Sequence, residues 1–275
     1  VIKKALAAVL ILAASVVGSP TPPAVSAATT TPKLVVIYME NHERSSITTS
    51  PDADYLNGLR TQGIDFTHYY GVTHPSLPNY LALGNGSTDG KVGTDSVTAG
   101  SLSGTTVWNQ MKRAKVNFRV WEESMPSPCS NAVTSGSYAL KHNPATPFSA
   151  VFSKAWCPKR VLPYTTSSVM AKFNFIAPNL CNDMHDCSIA TGDNWLQARV
   201  PAMLAAGDTV VITFDEGSSG TNGGGNVYTV VVGSGVTARV DDATYNHYSL
   251  LRAIEDRYGL SPLNSAASAT PLPLS

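Results

Sequence analysis

The sequence predicts an α/β fold, a mostly parallel central sheet with helices on both faces. Three observations carry that reading. Strand-like apolar runs alternate with helical patterns along most of the chain, the signature of parallel strands joined by crossover helices. The run Leu34 to Met39 is continuously apolar, as a strand buried on both faces must be. Three such runs end abruptly in acidic or amide residues, where open α/β sheets place their ligands. At 275 residues and 43% apolar, the chain has material for one large domain, assigned to 34–265.

Before that domain, residues 1–27 read as a secretory signal. Lys3 and Lys4 precede an apolar stretch, Ala5 to Val17, that is too short to span a bilayer, and Val25-Ser26-Ala27 is a small-x-small cleavage site. Residues 28–33 form a Thr/Pro linker. The first strand, Leu34 to Met39, stops at Glu40-Asn41-His42-Glu43. Residues 54–62 place Tyr55, Leu56 and Leu59 on one helical face, with Gly63 as the stop. A strand over 64–70 leads to Ser76 and a short helix. The stretch 84–104 is Gly/Ser/Thr-rich loop, 106–115 is helical, and 116–121 alternates as a strand. Residues 124–168, rich in Ser and Pro, form a long excursion over the site. Phe173 to Ala177 is a strand that ends in the cluster Asn179 to Asp186. Asp193 is expected to cap a helix reaching Ala206. Thr209 to Phe214 is a buried strand ending in Asp215-Glu216, and a glycine-rich turn over 217–225 leads to a strand over 227–232. His247 opens a last helix with Leu250, Leu251, Ile254 and Tyr258 as its stripe, and 266–275 is a tail.

Composition narrows the function. Net charge is zero with only 14% charged residues, and no basic stripe argues for a nucleic-acid partner. No segment beyond the signal could span a membrane. Four cysteines suit an exported protein, and their spacing is not that of a zinc site. Cys181 and Cys187 are close in sequence and are expected to pair, leaving Cys129 with Cys157. A monomer is expected.

The chemistry converges on Ser76. Pro78 fits the first turn of a helix, so Ser76 stands at a helix mouth, where unpaired N–H groups favour negative charge. Asn79 can point an amide at the same place. Glu40-Asn41, Asn179 to Asp186 and Asp215-Glu216 should meet there. Carboxylates so crowded repel unless a cation lies between them, so a divalent metal ion is implied. His74, His142, His185 and His247 all fall in loops or at element ends, as groups for proton transfer, ligation or phosphate binding do.

These residues carry a resemblance. Met39-Glu40-Asn41-His42, Thr73-His74-Pro75-Ser76-Leu77-Pro78-Asn79-Tyr80, Asn182-Asp183-Met184-His185-Asp186, Gly192-Asp193-Asn194-Trp195-Leu196 and Thr213-Phe214-Asp215-Glu216 resemble the bacterial secreted phosphoesterase family. That family holds acid phosphatases and phospholipase-C-type enzymes within the alkaline phosphatase-like superfamily. The resemblance implies Ser76 as nucleophile, Asn79 as transition-state amide, and Glu40, Asn41, Ser76, Asp215 and Glu216 as metal-binding positions. Asp183, His185 and His247 fall where two-metal relatives keep further ligands, with His185 and His247 also candidates for catalysis. His74, His142, Asn179 and Asp186 are assigned to substrate binding. The implied activity is that of a secreted, metal-dependent phosphomonoesterase forming a phosphoserine, with phosphoinositide head groups among its substrates. The alternative is a phospholipase-C-type diesterase. A metal-free serine esterase is disfavoured because no G-x-S-x-G elbow occurs, and a non-catalytic binding protein would not need Ser76, Glu40 and Asp215 together.

Overall fold

In the computed structural model, which describes residues 1–2 and 32–275, the elements belong to the compact unit Pro32–Ser275. The stretch read as a secretory signal, apart from its first two residues, and most of the expected linker fall within 3–31, outside the described residues. The chain runs β1 (Leu34–Met39), α1 (Arg44–Thr48), α2 (Asp54–Arg60), β2 (Ile64–Tyr70), α3 (Ser76–Asn85), α4 (Val107–Arg113) and β3 (Phe118–Glu123). The excursion holds a small hairpin, β4 (Thr134–Ser135) and β5 (Tyr138–Ala139), then α5 (Ser149–Phe152) and β6 (Val161–Tyr164). The rest is β7 (Phe173–Ala177), α6 (Ile189–Gln197), α7 (Val200–Ala205), β8 (Thr209–Phe214), β9 (Thr229–Gly233), β10 (Arg239–Asn246) and α8 (His247–Tyr258).

The main sheet has the order β10-β2-β9-β8-β1-β7-β3-β6. Its middle strands β1, β7 and β8 are buried at every residue, as their apolar runs require, so both faces of the sheet are covered. The helices fall into two sets. In one, α3 packs against α4 and α8; in the other, α2 packs against α1 and α6, and α6 against α7. All pairings are parallel except those of β9, which runs antiparallel to both β2 and β8. The glycine-rich connection from β8 to β9 contains no helix, so the chain turns back beside β8 instead of crossing over. β10, not anticipated from the sequence, closes one edge. Most of its residues are exposed, and Asp241 and Asp242 discourage further strand pairing there.

Three expectations need correction. Asp193 does not cap the helix it belongs to; it lies inside α6, whose N-cap is Ser188. Its carboxylate instead accepts the N–H groups of Tyr55 (2.9 Å) and Leu56 (2.8 Å), satisfying the open first turn of α2. The helix expected up to Ala206 is two helices, because Pro201 cannot continue a helix and sits in the first turn of α7. The stretch 266–275 is not a free tail: Ala266 and Leu272 are buried, and the Leu272 N–H donates to the Ser249 carbonyl. The excursion keeps its length but adds β6 to the sheet edge. Among the described residues no helix is long and apolar enough to cross a membrane.

The apolar stripe of α8 buries Leu250, Leu251 and Ile254, and with them Glu255. One Glu255 oxygen accepts the Leu263 N–H at 2.9 Å; the other has no partner among the described residues. Burial pushes this carboxyl up to about 8. The folded state therefore holds the proton more tightly than the unfolded chain, whose ordinary value is 4.5. Its contribution to stability is full below that value and is lost as pH rises through the folded value. Glu255→Gln should leave the melting temperature nearly unchanged at pH 5 and raise it by about 4 °C or more at pH 9. An equal shift at both pH values, read by calorimetry, would show that ionisation of Glu255 is not the cause.

Candidate active site

The register of the sheet builds the site. Met39 of β1 pairs with Phe214 of β8, so the next residues, Glu40 and Asp215, leave neighbouring strand ends side by side. β7 lies on the other side of β1, and the loop beyond it returns so that the Asp183 carbonyl accepts the Glu40 N–H at 2.9 Å. Three carboxylates thus gather, all buried: Glu40, Asp183 and Asp215. The Asp215 carboxylate accepts the Asn41 N–H at 3.0 Å, and Asn41 takes the left-handed φ of 57° that an asparagine tolerates.

The helix α3 brings Ser76 to these carboxylates. Its N-cap is Pro75, and Ser76 is the first helical residue, as expected, with its side chain buried. The Ser76 hydroxyl donates to Glu40 Oε2 at 3.0 Å. One turn later the Tyr80 hydroxyl donates to Glu40 Oε1. Positions i and i+4 share a helix face, so one helix presents both hydroxyls to one carboxylate. The motif contains Tyr80 without marking its role; the signal for it is the i, i+4 spacing from Ser76. The Leu77 N–H, open at the helix start, is taken by Asp95 Oδ1 at 3.0 Å, while Asp95 Oδ2 holds Lys141 Nζ at 3.0 Å. Asp95 sits in the Gly/Ser/Thr loop, where nothing local marks it.

Electrostatics at this cluster are severe. Burial raises the Glu40 carboxyl well above its usual range, and the charges of Asp215 and Asp183 add to it. Burial likewise pushes Asp183 up to about 8 and Asp215 to about 6, against the backbone N–H groups of His185 and Asn41 that favour their ionised forms. The His142 ring stacks on Tyr80 at 5.2 Å, with Nε2 3.3 Å from Glu40 and Nδ1 3.4 Å from Asp183. Burial pulls its pKa well below the ordinary value. Asp183 Oδ2, Asp215 Oδ2 and His142 Nε2 are buried without a hydrogen-bond partner among the described residues. Glu40, His142 and His185 each offer one atom, and those atoms lie within 4.8 Å of one another. Buried, orphaned oxygen and nitrogen donors beside crowded carboxylates fit a divalent cation.

Several expected site residues serve this cluster from behind or beside it. Asn79 does not aim its amide at Ser76. Its NH2 donates to the Thr73 and Pro75 carbonyls and its oxygen accepts the Val72 and Thr73 N–H groups, so it holds the loop before α3. His247 is fully buried, with Nδ1 2.8 Å from the Tyr38 hydroxyl and Nε2 on the Asp215 carbonyl. The tautomer protonated at Nε2 satisfies both bonds, and burial lowers its pKa to about 4. It supports Asp215 and has no open face. Asn179 accepts the Cys181 and Asn182 N–H groups and shapes the 179–187 loop. Asp186 is exposed and pairs with His185 Nδ1 at 2.6 Å. Glu216 turns from the cluster to His74, 2.6 Å away, whose Nε2 meets the Ser219 carbonyl. The disulfides are Cys181–Cys187, around the loop bearing Asp183 and His185, and Cys129–Cys157 within the excursion, as expected.

Glycines let the loops that follow β2 and β8 touch. A Cβ on Gly71 would lie 2.7 Å from the Gly224 carbonyl and 2.8 Å from that of Asp215, and the two glycines are hydrogen-bonded through Gly224 N–H.

Solved structures place the fold. An alkaline phosphatase superfamily protein from Vibrio parahaemolyticus matches with TM-score 0.58 at 10% identity, over 89% of this chain and 70% of that one. The lipoteichoic acid synthase LtaP from Listeria monocytogenes matches with TM-score 0.62 at 8% identity, over 87% and 76%. The architecture is alkaline phosphatase-like, and the family and relatives that follow make the chain a hydrolase of phosphoric esters. The chain belongs to the Phosphoesterase family, whose profile matches residues 46–261. It is 32% identical to the phosphatidylinositol-3-phosphatase of Mycobacterium tuberculosis, over 87% of this chain and 81% of that enzyme. It is 27% identical to the phosphate-repressible acid phosphatase of Penicillium chrysogenum, over 84% of this chain and 60% of the fungal one.

Tyr80→Phe removes one of two hydroxyls on Glu40 without changing the helix. A hydrogen bond to a charged group is worth about 1.5–3 kcal/mol, so kcat/KM on an aryl phosphate should fall roughly 10- to 100-fold. A variant that folds normally and keeps full activity would remove Tyr80 from the site.

Proposed function

We propose that the protein is a secreted, metal-assisted phosphomonoesterase that works through a phosphoserine at Ser76. The observation that carries this reading is the buried Ser76 hydroxyl, 3.0 Å from Glu40 at the start of α3 and at the meeting point of three strand-end carboxylates. The residues that would hold a divalent cation are Glu40, Asp215 and Asp183, with Asn41 and Ser76 alongside and His142 and His185 as nitrogen donors. Such a cation would supply charge neutralisation for the phosphoryl oxygens and a lower pKa for the serine hydroxyl.

The chain's own groups do the rest. Glu40 takes the Ser76 proton along their hydrogen bond, and Oγ attacks phosphorus in line. The bond from phosphorus to the alcohol breaks, and the departing oxygen is protonated at the rim, where His185 and Lys141 meet 3.3 Å apart. Water then cleaves the phosphoserine. Asn79 keeps the loop before α3 in place, and His247 keeps Asp215 in place. Lys141 sets a positive charge beside the carboxylates, which suits a dianionic phosphomonoester better than a diester. Similarity to the mycobacterial phosphatidylinositol-3-phosphatase supports phosphoinositide head groups among the substrates. The signal read in residues 1–27 and the two disulfides support export to an oxidising compartment.

Ser76→Ala should fold normally and lose several orders of magnitude in kcat, because the parts of such a site act as a unit. Retention of a tenth of the activity would exclude Ser76 as nucleophile. Purified wild-type protein should carry divalent metal by elemental analysis and Glu40→Gln should lose most of it. Equal metal in both would remove Glu40 from the ligand set. Between an aryl phosphate and its bis-aryl diester, the monoester should be preferred at least tenfold in kcat/KM, about 1.4 kcal/mol. The reverse preference would assign the protein to the phospholipase-C type.

A further inference from the structure

The neutral total charge conceals a segregation along the chain. From Ser96 to Asn182 there are nine lysines and arginines against two acids, Glu122 and Glu123. Folding gathers four of the nine around one cleft of about 550 Å³: Lys112 at the end of α4, Arg119 in β3, and Lys159 and Arg160 just before β6. Trp156 forms an apolar wall, and no acidic residue lines the cleft. Among the described residues none of these four cations takes part in a salt bridge.

The two arginines are held rather than loose. Both donate to the Asn117 side-chain oxygen and to the Phe118 carbonyl, and the Arg160 guanidinium lies over the Phe118 ring, 5.4 Å from its centroid. Burial and the neighbouring charge of Arg160 pull the Arg119 pKa below its ordinary value. Like charges fixed this close repel, and a bound anion would relieve that repulsion.

The place of the cleft narrows the ligand. Arg119 is near the start of β3 and Arg160 precedes β6, strands parallel to β1, whose far end carries Glu40. The cleft is therefore at the opposite end of the sheet from Ser76. A lipid surface bound there would face away from the catalytic serine. Four cations exceed what one phosphate needs, and exposed Lys115 and Lys154 flank the lining residues in sequence.

We propose that this cleft binds a linear inorganic polyphosphate chain, with Lys112, Arg119, Lys159 and Arg160 taking successive phosphates, and so holds the enzyme to that polymer while Ser76 stays free. This reading is independent of the mechanism at Ser76.

The test measures binding of fluorescently labelled inorganic polyphosphate by anisotropy, in the Ser76→Ala chain so that the polymer is not consumed. Arg119→Gln/Arg160→Gln and, separately, Lys112→Gln/Lys159→Gln should each weaken binding at least about tenfold. Affinity of the unaltered cleft should fall steeply as salt is raised, as expected when several phosphates are neutralised. With Ser76 intact, both double variants should hydrolyse a small aryl phosphate at the unaltered rate. The lysine pair is exposed and leaves the fold untouched. Unchanged affinity in that folded variant would overturn the proposal. So would cation-dependent binding of phosphatidylserine vesicles or single-stranded DNA without binding of polyphosphate.

Discussion

The burial of Glu40, Asp183 and Asp215 against one another is the constraint on which the rest of the structure depends. Two unit charges about 4 Å apart interact by about 4 kcal/mol at an effective dielectric near 20. A domain is stable by only about 5–15 kcal/mol in all, so three ionised carboxylates could not be left uncompensated. The chain answers in three ways. Hydroxyls from Ser76 and Tyr80 bond to Glu40, and backbone N–H groups of Asn41 and His185 bond to Asp215 and Asp183. Raised pKa values let part of the charge be carried by protons. Orphaned donor atoms remain for a cation. The repulsion that makes the cluster costly to fold is what a cation bound there would relieve.

Support for the cluster comes from residues that never face it. His247 fastens the Asp215 carbonyl from the core, where its pKa of about 4 keeps it neutral. Asn79 fastens the loop before Ser76, and Asp95 ties the first turn of α3 to Lys141 of the excursion. The Cys181–Cys187 bridge closes the short loop that carries Asp183 and His185, which reduces the conformational freedom lost on ordering it. Positioning of this kind is what keeps a site within the tight tolerance that in-line attack needs.

Charge is organised at the scale of the whole domain as well. Acidic groups gather at the carboxyl ends of the central strands, and Asp241 and Asp242 mark the β10 edge. Cations gather around the cleft beside β3 and β6. A composition with zero net charge and no basic run conceals this, because cations distant in sequence, at 112–119 and 159–160, become neighbours only through the sheet.

The sequence by itself determined the class of fold, the strands that end in acidic clusters, the serine at a helix mouth, the pairing of the cysteines, and the family through its motifs. These are legible because strand burial, helix starts and turn chemistry act over a few residues. Tertiary structure alone decided which way each side chain is used. Asn79 and His247 read as catalytic from their neighbours in sequence, yet their hydrogen bonds are taken by backbone groups of Val72, Thr73, Pro75 and Asp215 and by buried tyrosine hydroxyls. Asp193 reads as a helix cap and does cap a helix, but α2, more than a hundred residues earlier in the chain. Tyr80, Asp95 and His142 gain their places from the packing of α3 against the excursion. The physical reason is common to all of them. A hydrogen-bonding group can be recognised locally, but its partner is chosen by the register of the sheet and the packing of the loops, which bring together residues far apart in the chain.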